Sequence, residues 1–233
     1  MQLTAKQIHA RLTQIKPLVE NRSLETLRRG QNALGELMHT IHRARVRVKR
    51  HDFSDFPAAW VLPKDIRREG VVLYLHGGGY TCGGLEYALG FGAALADECG
   101  VRVFCAAYRL APESRFPAAL EDAAVAYQYL LDKGYPPEEI NLCGESAGGG
   151  LCYCLCMYLR QRELPLPGSI IAISPWVDLT GSGESNPVYP PSPAGLPTAG
   201  THCSSSAAGR RDKFWQRCPA ASTAAFAPER GFY

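Results

Sequence analysis

The stretch INLCGESAGG, from Ile140 to Gly149, decides how the rest of the chain is read. Its opening, Ile140 to Cys143, is strand-like, and the segment from Ala147 to Arg162 reads as a helix. Gly144-Glu145-Ser146-Ala147-Gly148 therefore matches G-x-S-x-G in a strand-turn-helix setting, the context that a serine at the tip of a sharp turn requires. Glycines at 144 and 148 let strand and helix approach closely around a strained Ser146 and present its hydroxyl outward. A competing reading makes Ser146 an ordinary helix N-cap in a small-residue packing contact.

Working outward, buried-strand patterns alternate with helices. Val71 to Leu75 is a continuous apolar run, as expected for a strand covered on both faces, and Val101 to Ala107 reads as a second buried strand. Tyr87 to Glu98 reads as a helix stopped by Gly100, and another helix has Pro117 near its first turn and Gly134 at its end. Ser169 to Ser174 is a further strand. This rhythm predicts an α/β fold with a doubly wound, mostly parallel sheet, helices on both faces and a site at the carboxyl ends of the strands. Upstream, Val46 to Val48 and Ala58 to Leu62 are short strand-like runs separated by a polar turn. Two amphipathic helices open the chain, one on Ile8, Leu12, Ile15 and Val19 and the other on Leu24, Leu27, Leu34, Met38 and Ile41, the second capped by Ser23. Pro17 ends or bends the first.

His76-Gly77-Gly78-Gly79 directly follows the strand ending at Leu75. Three glycines free the backbone to turn its N–H groups toward a ligand. With the N–H of Ala147 at a helix N-terminus, they could hold the negative oxygen of a tetrahedral intermediate. The alternatives are a plain flexible loop or a phosphate cradle. No Lys-Ser or Lys-Thr follows, so a P-loop is excluded. His76 precedes the serine, the wrong order for a hydrolase base, and reads as a loop-fixing residue.

Composition narrows the partners. The chain has 233 residues, enough for one α/β domain, with 25 Lys plus Arg against 22 acids and a net charge of +3. That balance argues against nucleic acid and for a small molecule. The basic residues Arg28, Arg29, Arg43, Arg45, Arg47, Lys49 and Arg50 are spread over helix and strand patterns and read as solvated faces. No secretion-type apolar region follows the N-terminus and no run of about eighteen apolar residues occurs, so no membrane span and a cytoplasmic location are expected. The nine cysteines are then expected as reduced thiols. Cys152, Cys154 and Cys156 alternate along a helix, with no His near them, and read as small packing residues; no metal and no cofactor is expected.

Four linked motifs now stand in order: His76 to Tyr80 (HGGGY), Tyr108 to Glu113 (YRLAPE) leading into Phe116 to Asp122 (FPAALED), Gly144 to Gly149 (GESAGG), and Ser174 to Asp178 (SPWVD). Their order and spacing resemble those of hormone-sensitive-lipase-like esterases, the α/β-hydrolase fold-3 family, over about 140 residues from Arg45 to Glu184. The resemblance implies an α/β-hydrolase fold and hydrolysis of small carboxylic esters through an acyl-enzyme at Ser146. It also implies an oxyanion hole from the backbone of Gly77, Gly78 and Ala147. Asp122 and Asp178 match positions that the family uses structurally, and Glu113 and Arg109 match loop and ion-pair residues. Residues 1–44 look like a cap region, and 45–186 like a partial hydrolase core.

Beyond Asn186 the pattern stops. Segment 187–233 is rich in Pro, Ala, Ser, Gly and Arg, and among branched aliphatics holds only Val188 and Leu196, so an irregular tail is expected. The family's triad acid and base segments are not found there. His202 is the only His after Ser146, with Asp178 or Glu184 as acids that would satisfy the chain order. The coincidence of composition change and motif loss predicts missing C-terminal strands, an exposed apolar sheet edge near Ile170 to Ile173, and a tail of out-of-frame or alternatively spliced origin. Three readings stay open: an esterase, a binding protein on the same scaffold, as gibberellin receptors are, or a non-functional fragment.

Overall fold

A computed structural model of the chain describes residues 22–179. The first amphipathic helix, Glu184, His202 and the 187–233 segment lie outside the described residues. Ser23 starts helix α1 (Leu24–His42) as read from the sequence, its Oγ accepting from Thr26 N–H at 3.2 Å. The chain continues through β1 (Val46–Asp52), β2 (Pro57–Pro63), β3 (Val71–Leu75), α2 (Leu85–Cys99), β4 (Arg102–Ala106), α3 (Ala118–Asp132), β5 (Ile140–Glu145), α4 (Ala147–Gln161) and β6 (Ser169–Ile173). Gly100 caps α2 in the left-handed conformation at φ 63°, the stop that its lack of a Cβ permits.

The strands form one six-stranded sheet in the order β1-β2-β4-β3-β5-β6. The β4-β3-β5-β6 portion is parallel, while β1 and β2 add antiparallel strands at one edge. A strand covered on both faces must be apolar at every position, and all five residues of β3 are buried. Leu73 and Leu75 point into a layer with Tyr127 and Leu130 of α3 and Leu151 and Leu155 of α4. Val72 and Tyr74 point the other way, toward Ala88, Leu89 and Ala93 of α2. Each such fully buried Leu contributes about 1.5–3 kcal/mol relative to exposure. Helix α1 lies behind α2, where Gly35 and Gly90 meet so closely that a Cβ on either would strike backbone.

The two sheet edges differ. β1 carries exposed Arg47, Lys49 and Arg50, charges that discourage a further strand. β6, the last strand among the described residues, carries no charge and leaves Ile171 50 % and Ile173 42 % exposed, the apolar edge anticipated from the sequence.

Candidate active site

Parallel register fixes where the site lies. Leu75 pairs with Gly144, so the segments that follow, His76 to Gly79 and Glu145 to Ser146, leave the sheet side by side at its carboxyl end. At the turn from β5 into α4, Ser146 adopts φ 53°, ψ −119°, a conformation that costs a non-glycine residue about 1–3 kcal/mol. Although Ser146 occupies the N-cap position, its side chain caps nothing, and the residue is exposed. The ordinary N-cap reading therefore fails: no helix amide donates to the hydroxyl of this exposed residue. Ser146 N–H donates to Ile173 O at 3.0 Å, and Trp176 N–H donates to Ser146 O at 2.8 Å, tying the turn to the end of β6.

The elbow and the glycine loop are in direct backbone contact. A Cβ on Gly148 would collide with the carbonyl oxygens of Leu75 and His76, and one on Gly144 with Leu75 O. Only glycine at these two positions lets α4 start this close to the end of β3. His76 lies fully buried beneath the loop. Its Nδ1 lies 2.7 Å from Gly77 O and so carries the proton donated to that carbonyl, leaving Nε2 as a bare nitrogen with no partner. Burial holds the imidazole down to about 4, and it stacks on Tyr108 at 4.3 Å. Tyr108 Oη in turn donates to His76 O at 2.5 Å. His76 is thus neutral and structural, in keeping with the loop-fixing role read from the sequence.

One expectation for the loop needs correction. Gly77 N–H, anticipated as an oxyanion donor, is turned into the Glu145 carboxylate at 2.6 Å and has no second hydrogen to offer. Among the described residues, no hydrogen bond takes the N–H of Gly78, Gly79 or Ala147. Those three amides are the free donors at this end of the sheet. Tyr80 and Trp176, with ring centroids 6.3 Å apart, stand beside the loop and supply apolar surface.

Other residues singled out in the sequence are engaged elsewhere. Asp122, 2 % exposed, accepts from Arg109 N–H and pairs with its guanidinium at 2.7 Å. Glu113 pairs with Arg28 of α1 at 2.7 Å, which holds its carboxyl down to about 2. Asp178 O accepts from Trp176 Nε1 at 2.9 Å. Among the described residues no imidazole or carboxylate is bonded to the Ser146 hydroxyl. Cys152 and Cys154 are buried and Cys156 half-buried, with burial pushing the Cys152 and Cys156 thiols up, the latter to about 11.

A cation would find ligands at His42, Asp97 and Glu98, whose donor atoms lie within 4.8 Å of one another. Arg45, however, already sits 2.7 Å from Asp97 Oδ2 and His42 Nδ1 2.6 Å from the same oxygen. The guanidinium fills the place of a cation there.

Sequence reasoning missed two anchors of the site, Glu145 and Arg28. Arg28 donates to Thr81 O at 2.7 Å and Ala111 O at 2.9 Å besides Glu113, joining α1 to the loops around the serine. Its partners are 53 to 85 residues away in sequence, and only the folded sheet brings them together.

Comparison with known proteins agrees with this geometry. An acetyl-hydrolase of Streptomyces hygroscopicus is 45 % identical over 130 residues, 55 % of this chain and 43 % of that protein. An ethyl acetate hydrolase of Pseudomonas putida is 39 % identical over 112 residues, 46 % of this chain and 35 % of the relative. The chain thus spans less than half the length of these curated relatives. Among solved structures, a hormone-sensitive lipase from a metagenome library superimposes with a TM-score of 0.70 at 31 % identity, covering 80 % of this chain and 62 % of that one. No helix among the described residues is long and apolar enough to cross a membrane. The profile of the alpha/beta hydrolase fold matches residues 72–220, so it starts inside β3, runs through the elbow and continues past the composition change at 186. Because that match covers more than half of the sequence, the chain belongs to the α/β hydrolase fold family.

Proposed function

We propose that this chain carries the reaction centre of a carboxylic ester hydrolase that works through an acyl-enzyme on Ser146. The observation that carries the reading is the exposed, strained Ser146 beside amides with no acceptor among the described residues. In the reaction, Ser146 Oγ adds to the ester carbonyl carbon and its proton passes to a solvent water. The carbonyl oxygen becomes an oxyanion that accepts from Gly78 and Ala147 N–H, with Gly79 taking the place first given to Gly77. Collapse breaks the ester C–O bond, and the departing alkoxide takes a proton from solvent to leave as the alcohol. Water then adds to the acyl carbon, releasing the acid and restoring the Ser146 hydroxyl. Tyr80 and Trp176 favour a small, partly apolar ester, in line with relatives named for acetyl esters and ethyl acetate. Neither a cofactor nor a metal takes part in this scheme. A cytoplasmic setting, where thiols such as buried Cys105 and Cys143 stay reduced, fits this reading. Residues 1–44 would serve as a cap over a core of 45–186, which Arg28 supports by linking α1 to Thr81 and Glu113.

A binding protein on the same scaffold is favoured by one observation: no described imidazole or carboxylate is bonded to Ser146. Hydrolysis of p-nitrophenyl acetate by the purified chain separates the two readings. The esterase reading expects turnover that disappears in Ser146→Ala, and turnover unchanged in that variant would remove Ser146 from the mechanism. Without an aligned base, the surviving acceleration is expected at about 10³–10⁴ over water, the share that oxyanion donors and binding supply in serine proteases.

A further inference from the structure

Glu145 fills the unspecified position of G-x-S-x-G, where the turn itself demands no particular side chain. Half-buried at the end of β5, its carboxylate has no cationic partner among the described residues and is held by three neutral donors. Oε1 accepts from Gly77 N–H at 2.6 Å and from Tyr87 Oη at 3.1 Å, and Oε2 accepts from Tyr74 Oη at 2.7 Å. Both phenols remain donors at any working pH, because burial and the adjacent carboxylate push Tyr87 up to about 12 and Tyr74 higher still. The phenols are themselves fixed. Tyr74 is fully buried and stacks flat on Phe91 at 5.1 Å, and Tyr87 stands edge-on to His76 at 6.2 Å. Gly77 approaches so closely that a Cβ there would lie 2.9 Å from both Glu145 O and Oε1.

We propose that Glu145 is the positioning residue of the oxyanion site, a latch that sets the glycine-loop amides in register with the elbow. The proposal rests on Ser146 being the nucleophile. Free donors come from two separate pieces of chain, Gly78 and Gly79 on the loop after β3 and Ala147 at the start of α4. Useful stabilisation requires both sets to converge on one oxygen before the reaction begins. Register pairing ends at Leu75 and Gly144, so the sheet no longer holds the loop beyond that point. Glu145 is covalently next to Ser146 and grips the first peptide of the loop, which orients the peptides that follow. Its charge also opposes an anionic oxygen placed at Gly77, so negative charge is directed to the amides beyond it.

The test measures phosphonylation of the full-length chain by a fluorophosphonate over a range of concentrations, which separates the maximal rate from half-saturation. Loss of the latch in Glu145→Ala is expected to lower the maximal rate by about 100-fold with half-saturation moved less than about 3-fold, as for a lost oxyanion donor. Glu145→Gln keeps a carbonyl oxygen for Gly77 N–H and is expected within about 10-fold of the parent. Glu145→Asp keeps the charge but is one methylene short, and is expected to fall about 30-fold or more. Wild-type rates in folded Glu145→Asp or Glu145→Ala would overturn the latch, as would equal losses in Gln and Asp. Amide hydrogen exchange decides the matter independently of chemistry. The latch expects residues 76–80 to exchange at least about 10-fold faster in Glu145→Asp while β3 and β5 keep their protection, and unchanged exchange would overturn it. Should the parent chain take no label at all, the nucleophile reading fails, and the exchange measurement still decides whether Glu145 holds the loop.

Discussion

On one flank of Ser146 the glycine loop, Glu145 and the start of α4 lock together with no room for a Cβ at Gly144 or Gly148. On the other flank no described imidazole or carboxylate is bonded to the hydroxyl. The difference teaches that, under the proposed esterase reading, the two halves of the site have separate structural origins. Charge stabilisation is built from the ends of neighbouring parallel strands, where β3 and β5 leave the sheet together. Proton transfer would need a base from elsewhere, since none among the described residues is bonded to the Ser146 hydroxyl. Under that reading the donor half stands as architecture whatever becomes of the base.

Four changes break or sharpen this contrast. The largest effect is expected for Gly148→Ala, whose Cβ would meet the Leu75 and His76 carbonyls. Overpacking against backbone should cost about 3 kcal/mol or more, read as a lowered urea midpoint, while the same change at open Gly134 stays smaller.

Acid should unsettle the loop from below. His76 is held neutral in the folded chain down to about 4, whereas the unfolded chain takes up a proton near 6.5. Between those values the unfolded state binds more protons, so stability is full above pH 6.5 and declines as pH falls toward 4, by about 3 kcal/mol in all. Urea midpoints followed against pH should show this slope, and His76→Asn should flatten it.

Arg28→Ala removes the hydrogen bonds to Thr81 O and Ala111 O and an ion pair whose Glu113 partner is 60 % exposed. The exposed pair contributes little, so a loss of about 1–2 kcal/mol from the two carbonyl contacts is expected by thermal melting. The smallest effect concerns the strain itself. With φ at 53° in this turn, the Ser146→Gly variant should be more stable than Ser146→Ala by about 1 kcal/mol, since both lack the hydroxyl and only glycine accepts the conformation freely. Equal thermal stability of the two variants would show that the turn stores no strain.

Much of this was legible because its signals are local. A continuous apolar run marked β3, strand-like stretches marked β4 and β5, Ser23 and Gly100 marked helix ends, and HGGG and GESAGG each sit within a short stretch of chain. The donor assignment was not legible to the residue. Which of three successive glycine amides is free depends on a carboxylate 68 residues downstream that captures the first of them. Composition alone cannot direct an amide. Likewise Arg28 reads as one basic residue among several until the fold sets it between Thr81, Ala111 and Glu113. The role of His76 was readable only in outline: chain order ruled it out as a base, but its burial against Tyr108 required the structure.

Intact-protein mass measurement after exposure of the full chain to a fluorophosphonate bears most directly on the claim that Ser146 is a poised nucleophile. One adduct is predicted, located by peptide mapping at Ser146 and lost in Ser146→Ala. An unlabelled chain that nevertheless melts cooperatively, or an adduct that persists in Ser146→Ala, would contradict it.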